Sequence, residues 1–186
     1  KMAANAGVRC EETLTGLKWV VRPAIDDPRA QFIFGYEEAL GFAVNDIVRD
    51  KDGITAAITF LEMMAALRAE GLSPFDRLDQ LAAQFGRHVS RPVSIRFDGA
   101  GAHARMTDRM QSLRSIPITE LAGQAVVSIV DYLTLEGRQR ADILRFELAG
   151  GGRVMLRPSC TEPQLKVYIE VIDPGRDSLP DALAQA

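Results

Sequence analysis

A short run of residues near the end of the chain carries the chemical groups that a phosphate needs. Residues 157–163 read Arg-Pro-Ser-Cys-Thr-Glu-Pro. A guanidinium fork binds phosphate through two hydrogen bonds, hydroxyls donate to it, and free backbone amides of a tight turn form a nest around it. We expect Arg157 to supply the fork and Ser159 and Thr161 to supply the hydroxyls. The amides of Cys160 and Thr161 would complete the nest. Turns rich in Ser, Thr and Pro also join strands without any ligand, so this motif alone leaves both interpretations open.

Two acidic residues follow a predicted strand in the first half of the chain. Residues 31–36 are rich in aromatic and β-branched types, and Glu37 and Glu38 stand at their end. An ionised carboxylate only accepts hydrogen bonds and has two oxygens, so one glutamate can accept from two neighbouring sugar hydroxyls. Adjacent side chains of an extended chain point in opposite directions, so we expect only Glu37 to face a ligand. Paired glutamates on a solvated loop are the alternative.

Two lysines stand beside segments that could contact an anion. Lys51 precedes Asp52, which we expect to cap a helix over residues 53–70. The N-terminal end of a helix favours negative charge, and Lys51 would add a cation there. Lys18 follows Gly16, whose backbone adopts conformations that other residues resist. Its compact ammonium can reach a ligand oxygen. On residue types alone, a plain turn with a solvated lysine is the alternative for Lys18.

Taken together, these motifs resemble those of the phosphoglucomutase/phosphomannomutase family, the α-D-phosphohexomutases. Residues 157–168 are similar to the family's phosphate-binding loop, residues 13–19 to its sugar-specificity loop, and residues 35–41 to its sugar-binding loop. The run Arg-Asp-Lys-Asp-Gly at residues 49–53 fits as well. The resemblance implies substrate contacts from Thr15, Gly16, Lys18, Glu37, Ala39 and Arg49, a candidate acid/base group or phosphate contact at Lys51, and phosphate contacts from Arg157, Ser159, Cys160 and Thr161.

The resemblance also implies a reaction. In the family, a phosphoserine passes its phosphoryl group to a hexose 1-phosphate, and the serine recovers the other phosphate from the resulting bisphosphate. The implied substrate is a hexose phosphate, the metal is Mg²⁺, and hexose 1,6-bisphosphate acts as activator. The family's serine and Asp-rich metal loops lie in its first two domains, and neither a Ser-His-Asn nor an Asp-x-Asp-x-Asp sequence occurs here. We therefore expect a C-terminal piece that holds no metal itself, partners with upstream domains 1 and 2, and is inactive alone.

The sequence departs from the family pattern at several positions. Ala39 stands where a serine is common, and Phe42 stands where other branches have a histidine, so the identity of the acid/base group stays open. Cys160 replaces a usual glycine; if that position requires positive φ, the cysteine is strained by about 1–2 kcal/mol. Gln164 replaces a common lysine. Glu162 would repel a phosphate, so we expect its side chain to point away from the loop.

The composition is that of an ordinary globular protein and argues against several kinds of partner. The chain has 186 residues, of which 47% are hydrophobic and 25% are charged, and its formal net charge is −3. It therefore has no basic field for nucleic acid. No apolar run is long enough to span a membrane and no leader pattern opens the chain, so we expect a cytoplasmic protein. Cys10 and Cys160 have neither the number nor the spacing of a disulfide framework or zinc site.

The predicted elements divide into two domains near Gly86. Residues 1–86 are expected to form an α/β domain with a mixed sheet and helices, similar to family domain 3 and truncated at its N-terminus. Residues 87–186 are expected to form an α+β domain, with an antiparallel sheet covered by helices on one face. The resemblance implies a TATA-binding-protein-like fold for this second domain, domain 4 of the family. The predicted helices cover residues 1–6, 53–70, 74–85 and 102–113 and a segment after Asp177; the strands cover 8–12, 31–36, 93–97, 125–133, 143–148, 153–156 and 165–172; loops are expected at 23–29 and 41–48.

The first long helix shows an apolar stripe that predicts a core position. Ile54, Ile58, Leu61 and Ala65 recur at helical spacing. We expect this stripe to be buried, with no functional role.

Three other functions remain open on the sequence. A phosphopentomutase or a hexose-bisphosphate synthase of the same superfamily would share these loops and act on a different substrate. A non-enzymatic phosphosugar-binding module would need only the binding residues present here. The preference between glucose and mannose is open as well.

Overall fold

The computed structural model describes residues 1–173, which form two compact units. The first unit is Lys1–Leu81 and the second begins at Ala82. The sequence analysis placed the division at Gly86, directly after the helix Pro74–Phe85, whereas the structure divides the units within that helix. Within the described residues, none of the helices is both long and apolar enough to cross a membrane.

The first unit combines short helices, one hairpin and a long helix. Its helices are α1 (Met2–Asn5), α2 (Leu17–Val20), α3 (Arg22–Asp26) and α4 (Gly53–Ala69), and α5 (Pro74–Phe85) begins in it and continues into the second unit. Strands β1 (Phe34–Glu37) and β2 (Gly41–Val44) form an antiparallel pair. Helices and a sheet in this unit, followed by a sheet-rich second unit, confirm the expected class of an α/β domain followed by an α+β domain.

The hairpin corrects the prediction of a loop over residues 41–48. Tyr36 pairs with Phe42, so the chain returns as a strand directly after the two glutamates. Leu40 makes the turn with a φ of 63°, a left-handed conformation that a leucine does not signal in sequence. Behind the hairpin, Ala43 packs with Leu17 and Val21 of the helical segment in the unit's small buried cluster.

Two other short segments also differ from their predictions. Residues 8–12 are not a strand; Arg9 is exposed and its guanidinium bonds to Glu11 and, at 3.2 Å, to Asp27. Charged side chains that pair locally leave this segment without a sheet partner. The expected loop at 23–29 instead begins as α3, with Pro23 in its first turn. The fixed φ of proline suits the first turn of a helix, whereas the sequence analysis interpreted Pro23 as a loop residue.

The N-terminal cap of α4 is confirmed. The Asp52 carboxylate accepts hydrogen bonds from the backbone N–H of Ile54 at 3.0 Å and of Thr55 at 3.2 Å, and from the Thr55 hydroxyl at 2.7 Å. The Thr55 hydroxyl bond is the largest of the interactions that lower the pKa of Asp52. The cap also ties α4 to the hairpin, because the Asp52 N–H donates to the Phe42 carbonyl at 2.8 Å.

Removal of the cap should loosen the start of α4. We expect Asp52→Ala to cost about 1 kcal/mol, because two helix N–H groups lose their acceptor. Hydrogen exchange at the amides of Ile54 and Thr55 should accelerate about fivefold. Asp52→Asn, whose side chain caps equally well, should show near wild-type exchange. Equal exchange in the alanine variant and wild type would show that the cap does not stabilise this turn.

The apolar stripe of α4 is not buried, which contradicts the prediction. Ile54 is 76% exposed, Ile58 52% and Leu61 62%, and Ala65 is also exposed. Leu67 is the buried residue of the helix. The helix is apolar on all sides, and a two-stranded hairpin with a three-residue buried cluster offers too little surface to cover it. The four residues do recur at helical spacing, but spacing cannot show how much partner surface is present.

The second unit is an antiparallel sheet with one long helix. Its strands are β3 (Arg87–Arg96), β4 (Glu120–Leu121), β5 (Gln124–Asp131), β6 (Leu144–Leu148), β7 (Arg153–Pro158) and β8 (Gln164–Asp173), and its helix is α6 (Ala102–Ser115). Short 3-10 turns lie at Tyr132–Thr134 and Gly137–Gln139. The six strands are ordered β3-β8-β7-β6-β5-β4. The predicted helix after Asp177 lies outside the described residues.

The core of the second unit lies on the α6 side of the sheet. Alternation in β6 buries Leu144, Phe146 and Leu148, and Met110 of α6 belongs to the same cluster as Phe146. The opposite face is polar, with Arg145 2.9 Å from Glu147. Such alternation is typical of an antiparallel sheet with one covered face, and it confirms the α+β prediction for this part of the chain.

Glu170 joins three strands on this polar face. Its carboxylate lies 2.9 Å from His88 Nδ1 of β3 and accepts a 2.9 Å bond from Arg153 Nε of β7. Burial alone would raise the pKa of Glu170, but the bonds from His88 and Arg153 outweigh it and hold the pKa below 4.5. The ionised carboxylate therefore stabilises the sheet above the pKa of the unfolded chain, and this stabilisation is lost as the pH falls through the lower folded pKa.

The pH dependence of unfolding tests this interaction. We expect Glu170→Gln to lower the thermal midpoint at neutral pH, and the gap from wild type to shrink as the pH is lowered to about 3. A gap that is the same at both pH values would show that the charge of Glu170 does not contribute.

Candidate functional site

Glu37 connects two of the predicted sugar loops. It ends β1, and its Oε2 accepts a 2.7 Å hydrogen bond from the backbone N–H of Gly16. Gly16 has φ 113° and ψ 127°, a conformation that is essentially restricted to glycine, and it precedes the first residue of α2. Within the described residues, the other carboxylate oxygen, Oε1, receives no hydrogen bond. One oxygen therefore fixes the side chain, and the other is available to a ligand hydroxyl.

The two neighbouring glutamates have different surroundings. Glu37 is half-buried, whereas Glu38 is exposed in the turn that follows β1. The turn is closed by a 3.1 Å bond from the Leu40 N–H to the Glu37 carbonyl. Ala39 lies exposed in the same turn. Backbone N–H groups of Gly16 and Leu40 thus bind the carboxylate and the carbonyl of Glu37, whereas Glu38 faces solvent.

Lys51 lies within electrostatic range of Glu37. Its ammonium is 2.9 Å from Asp50 Oδ1, and the bond to Asp50 is the main reason that its pKa is raised, with a further contribution from the Glu37 charge. The shift favours the charged ammonium, which is the form that attracts an anion. The sequence analysis did not single out Asp50; a carboxylate next to a candidate lysine was the available signal.

The remaining candidates of the first unit, Lys18, Thr15 and Arg49, are exposed. Lys18 is exposed, with its ammonium 5.1 Å from the centre of the Trp19 ring, a cation–π distance. Thr15 is exposed beside Gly16, and Arg49 is exposed before Asp50. The structure brings Gly16, Glu37 and Lys51 together. Within residues 1–81, no hydrogen bond or ion pair joins Thr15, Ala39 or Arg49 to Glu37 or Lys51.

The predicted phosphate loop is the turn between β7 and β8. The Ser159 N–H donates to the Gln164 carbonyl at 2.9 Å, which closes the hairpin. Ser159 is buried, and its hydroxyl accepts long bonds of 3.4 Å from the amides of Thr161 and Glu162. The hydroxyls of Ser159 and Thr161 lie 3.5 Å apart. Both hydroxyls and the amides therefore converge in one tight turn.

Cys160 does not have the positive φ that would strain a cysteine. Among the described residues, Leu40, Asn45 and Ala122 are the non-glycine residues with positive φ. Cys160 is exposed with an ordinary backbone conformation. Replacing the family's glycine therefore costs no left-handed strain in this loop.

Glu162 has a partner within the loop. The side-chain amide of Gln164 donates to Glu162 Oε2 at 2.7 Å. Gln164 is buried, so this bond gives the carboxylate a fixed place. The neighbouring cation, Lys166, is not its partner.

Arg157 and Lys166 form a pair of cations at the base of the loop. They are directly opposite each other in the β7–β8 register, and directly opposite residues share a face of the sheet. Within residues 1–173 neither has an ion-pair partner, and the Arg157 Nε is buried without a hydrogen bond. Like charges directly across a sheet are destabilising unless an anion joins them. The sequence analysis missed Lys166, because its position opposite Arg157 depends on the strand register.

No metal centre accompanies these groups in the part of the chain that the structure describes. Among residues 1–173, no three His, Cys, Asp or Glu side chains form a group that could hold a metal ion. The described residues therefore do not fit a magnesium site, and we assign no step of chemistry to a metal bound by them.

Comparison with known proteins links both units to one family. Residues 1–85 match the model described as phosphoglucomutase/phosphomannomutase, alpha/beta/alpha domain III. Residues 104–177 match the model of the C-terminal domain of the same family. The two matches follow the order of the domains in the family.

Individual relatives agree with these matches. The chain is 38% identical over 171 residues to a "probable phosphomannomutase" of Haemophilus influenzae and 30% identical over 185 residues to a "phosphoglucomutase" of Staphylococcus epidermidis. Each alignment covers 91% of this chain and 33% of the relative. A solved structure of parafusin, a phosphoglucomutase of Paramecium, shares the fold with a TM-score of 0.66 at 21% identity, over 98% of this chain and 33% of that one. This chain thus spans about a third of the length of these relatives.

Proposed function

This chain belongs to the phosphoglucomutase/phosphomannomutase family, and from that premise we propose that it is the sugar- and phosphate-binding part of a cytoplasmic phosphohexomutase. The complete enzyme would interconvert hexose 1-phosphate and hexose 6-phosphate through a hexose 1,6-bisphosphate. The phosphoserine and the magnesium ligands would come from upstream domains. This chain would bind the substrate and carry out no phosphoryl transfer alone.

The Arg157–Lys166 pair is the observation that carries the proposal. Two opposed cations that have no anionic partner among residues 1–173, below a turn with paired hydroxyls, have the charge and donors that a phosphate dianion requires. A fork-shaped guanidinium can take two phosphate oxygens, and a lysine adds a point charge. We propose that this site holds the phosphate that is not being transferred.

Glu37 supports the sugar half of the proposal. Its Oε2 is bonded to Gly16 and its Oε1 has no protein donor within the described residues, so Oε1 can accept from a ring hydroxyl. A mutase must bind its sugar in two orientations, because the phosphate at either end reacts in turn. A small set of contacts to ring hydroxyls and to the distal phosphate meets this requirement. Lys51, whose charged form is favoured by Asp50, would stabilise a reacting phosphate or donate a proton to the leaving oxygen.

An assay of the complete protein tests the function. With magnesium and a trace of glucose 1,6-bisphosphate, we expect conversion of glucose 1-phosphate, mannose 1-phosphate or both to the 6-phosphates. Ribose 1-phosphate and a bisphosphate-forming phosphoryl donor should be offered in parallel. The isolated chain of residues 1–186 serves as the matched control and should show no turnover.

Each result of this assay identifies a function. Turnover of ribose phosphate alone would indicate a phosphopentomutase, and net bisphosphate formation would indicate a hexose-bisphosphate synthase. Binding of hexose phosphate without any turnover would indicate a phosphosugar-binding module. Turnover by the isolated chain would contradict the proposed division of labour.

A further inference from the structure

We infer that Gly41 is a positioning residue for the sugar-binding carboxylate: the absence of a side chain at this position lets Glu37 lie where it bonds to Gly16. The inference rests on the proposed function for Glu37 as the hydroxyl acceptor. Gly41 itself would touch no substrate. Its role would be to fix the one carboxylate that does.

The space around Gly41 is already filled by two side chains. Gly41 is directly opposite Glu37 in the hairpin, and it is buried. A Cβ at position 41 would lie 2.8 Å from Glu37 Oε1, 2.9 Å from Glu37 Cγ and 2.6 Å from Leu17 Cδ2. Atoms do not approach so closely, so both Leu17 and Glu37 would have to shift to admit a Cβ.

Of the two neighbours, Glu37 can move further. Leu17 is 1% exposed and belongs to the small buried cluster with Val21 and Ala43, so its displacement would disrupt the packing. The Glu37 carboxylate is the end of a flexible side chain at the edge of the unit. Its departure would break the 2.7 Å bond from the Gly16 N–H.

The hydrogen bond from Gly16 is the second feature that positions Glu37. Gly16 starts α2 from a conformation that only glycine adopts readily, and it directs its N–H at Glu37 Oε2. Two glycines from different segments therefore hold one carboxylate: Gly16 by donating to it and Gly41 by leaving room for it. The segment before α2 and the β1–β2 turn are joined at this point.

A double-mutant cycle in the complete enzyme tests the role. We expect Gly41→Ala to raise KM for hexose 1-phosphate about tenfold, with a smaller change in kcat, because a hydrogen bond to a charged group is lost or misdirected. In the Glu37→Ala background, the same substitution should raise KM less than about twofold. The effects should fail to multiply because both substitutions act through one side chain.

A second glycine of the same hairpin provides the matched control. Gly35 is also buried in β1, and a Cβ there would lie 2.4 Å from Val20 and 2.9 Å from Phe32, with no contact to Glu37. Gly35→Ala therefore disturbs packing without touching the carboxylate. Whatever its effect on KM, that effect should be the same in the wild-type and Glu37→Ala backgrounds.

Hydrogen exchange at the Gly16 amide gives a readout that does not depend on activity or on the folding of Gly41→Ala. Exchange at Gly16 should accelerate in Glu37→Ala, because the N–H loses its acceptor. The inference is overturned if exchange at Gly16 is unchanged in Glu37→Ala, or if Gly41→Ala raises KM equally in both backgrounds. A wild-type enzyme without mutase activity would remove the proposed function instead, and the exchange result would still decide whether Glu37 is positioned as inferred.

Discussion

In the complete protein, we expect Arg157→Ala to reduce kcat/KM for hexose 1-phosphate about 100- to 1,000-fold, because truncating one side of a charge-assisted contact costs about 2–5 kcal/mol. Within the described residues the Arg157 Nε is buried without a hydrogen-bond partner, so this N–H remains to be satisfied by a ligand. Calorimetric binding of hexose 6-phosphate should weaken in parallel.

Two variants separate the phosphate role from a structural one. Arg157→Lys keeps the charge but loses the fork, so it should recover only part of the affinity. Arg153→Ala changes the residue four positions earlier on the same strand, whose guanidinium is bonded to Glu170. It should lower the thermal midpoint with a far smaller effect on KM. If Arg157→Ala binds hexose 6-phosphate as tightly as wild type does, the loop is not the phosphate site.

The second large effect is expected at Glu37. Glu37→Ala should lower kcat/KM about 10- to 100-fold, because the loss of a charged hydrogen-bond acceptor costs about 1.5–3 kcal/mol. The loss should be smaller for a deoxy sugar phosphate that lacks the hydroxyl contacted by Oε1. Measurement of kcat and KM with both sugars checks this.

The neighbouring glutamate is the control for this prediction. Glu38 is exposed, and Glu38→Ala removes the same charge from the same turn without removing the bond to Gly16. It should leave kcat/KM within about twofold of wild type. Equal losses in the two variants would mean that net negative charge in the turn, and not the placed carboxylate, governs binding.

Local chemistry made parts of the fold predictable. Asp52 caps α4 because an aspartate before a helix accepts the first free N–H groups whatever the tertiary context. The alternation over 143–148 predicted a strand with one buried face, and β6 buries its alternate residues Leu144, Phe146 and Leu148. In both cases, the information lies within a few neighbouring residues.

Features that depend on distant pairing were not predictable. Strand β2 was missed because it is short and follows a turn whose left-handed residue is Leu40 and not glycine. Lys166 became a candidate only when the register placed it opposite Arg157. Gly41 is interpretable only with Glu37 and Leu17 around it. In each case, the decisive partner lies across a strand or in another segment of the chain.

The uncovered apolar side of α4 has a consequence for the life of this polypeptide in a cell. Ile58, Phe60 and Leu61 present more than half of their surfaces to water, and such surface is what holdase chaperones and proteases recognise in incompletely assembled proteins. A polypeptide whose α4 stays uncovered would be degraded or would aggregate. We therefore expect the lifetime of the chain in a cell to depend on the burial of one helix as well as on the folding of its binding loops.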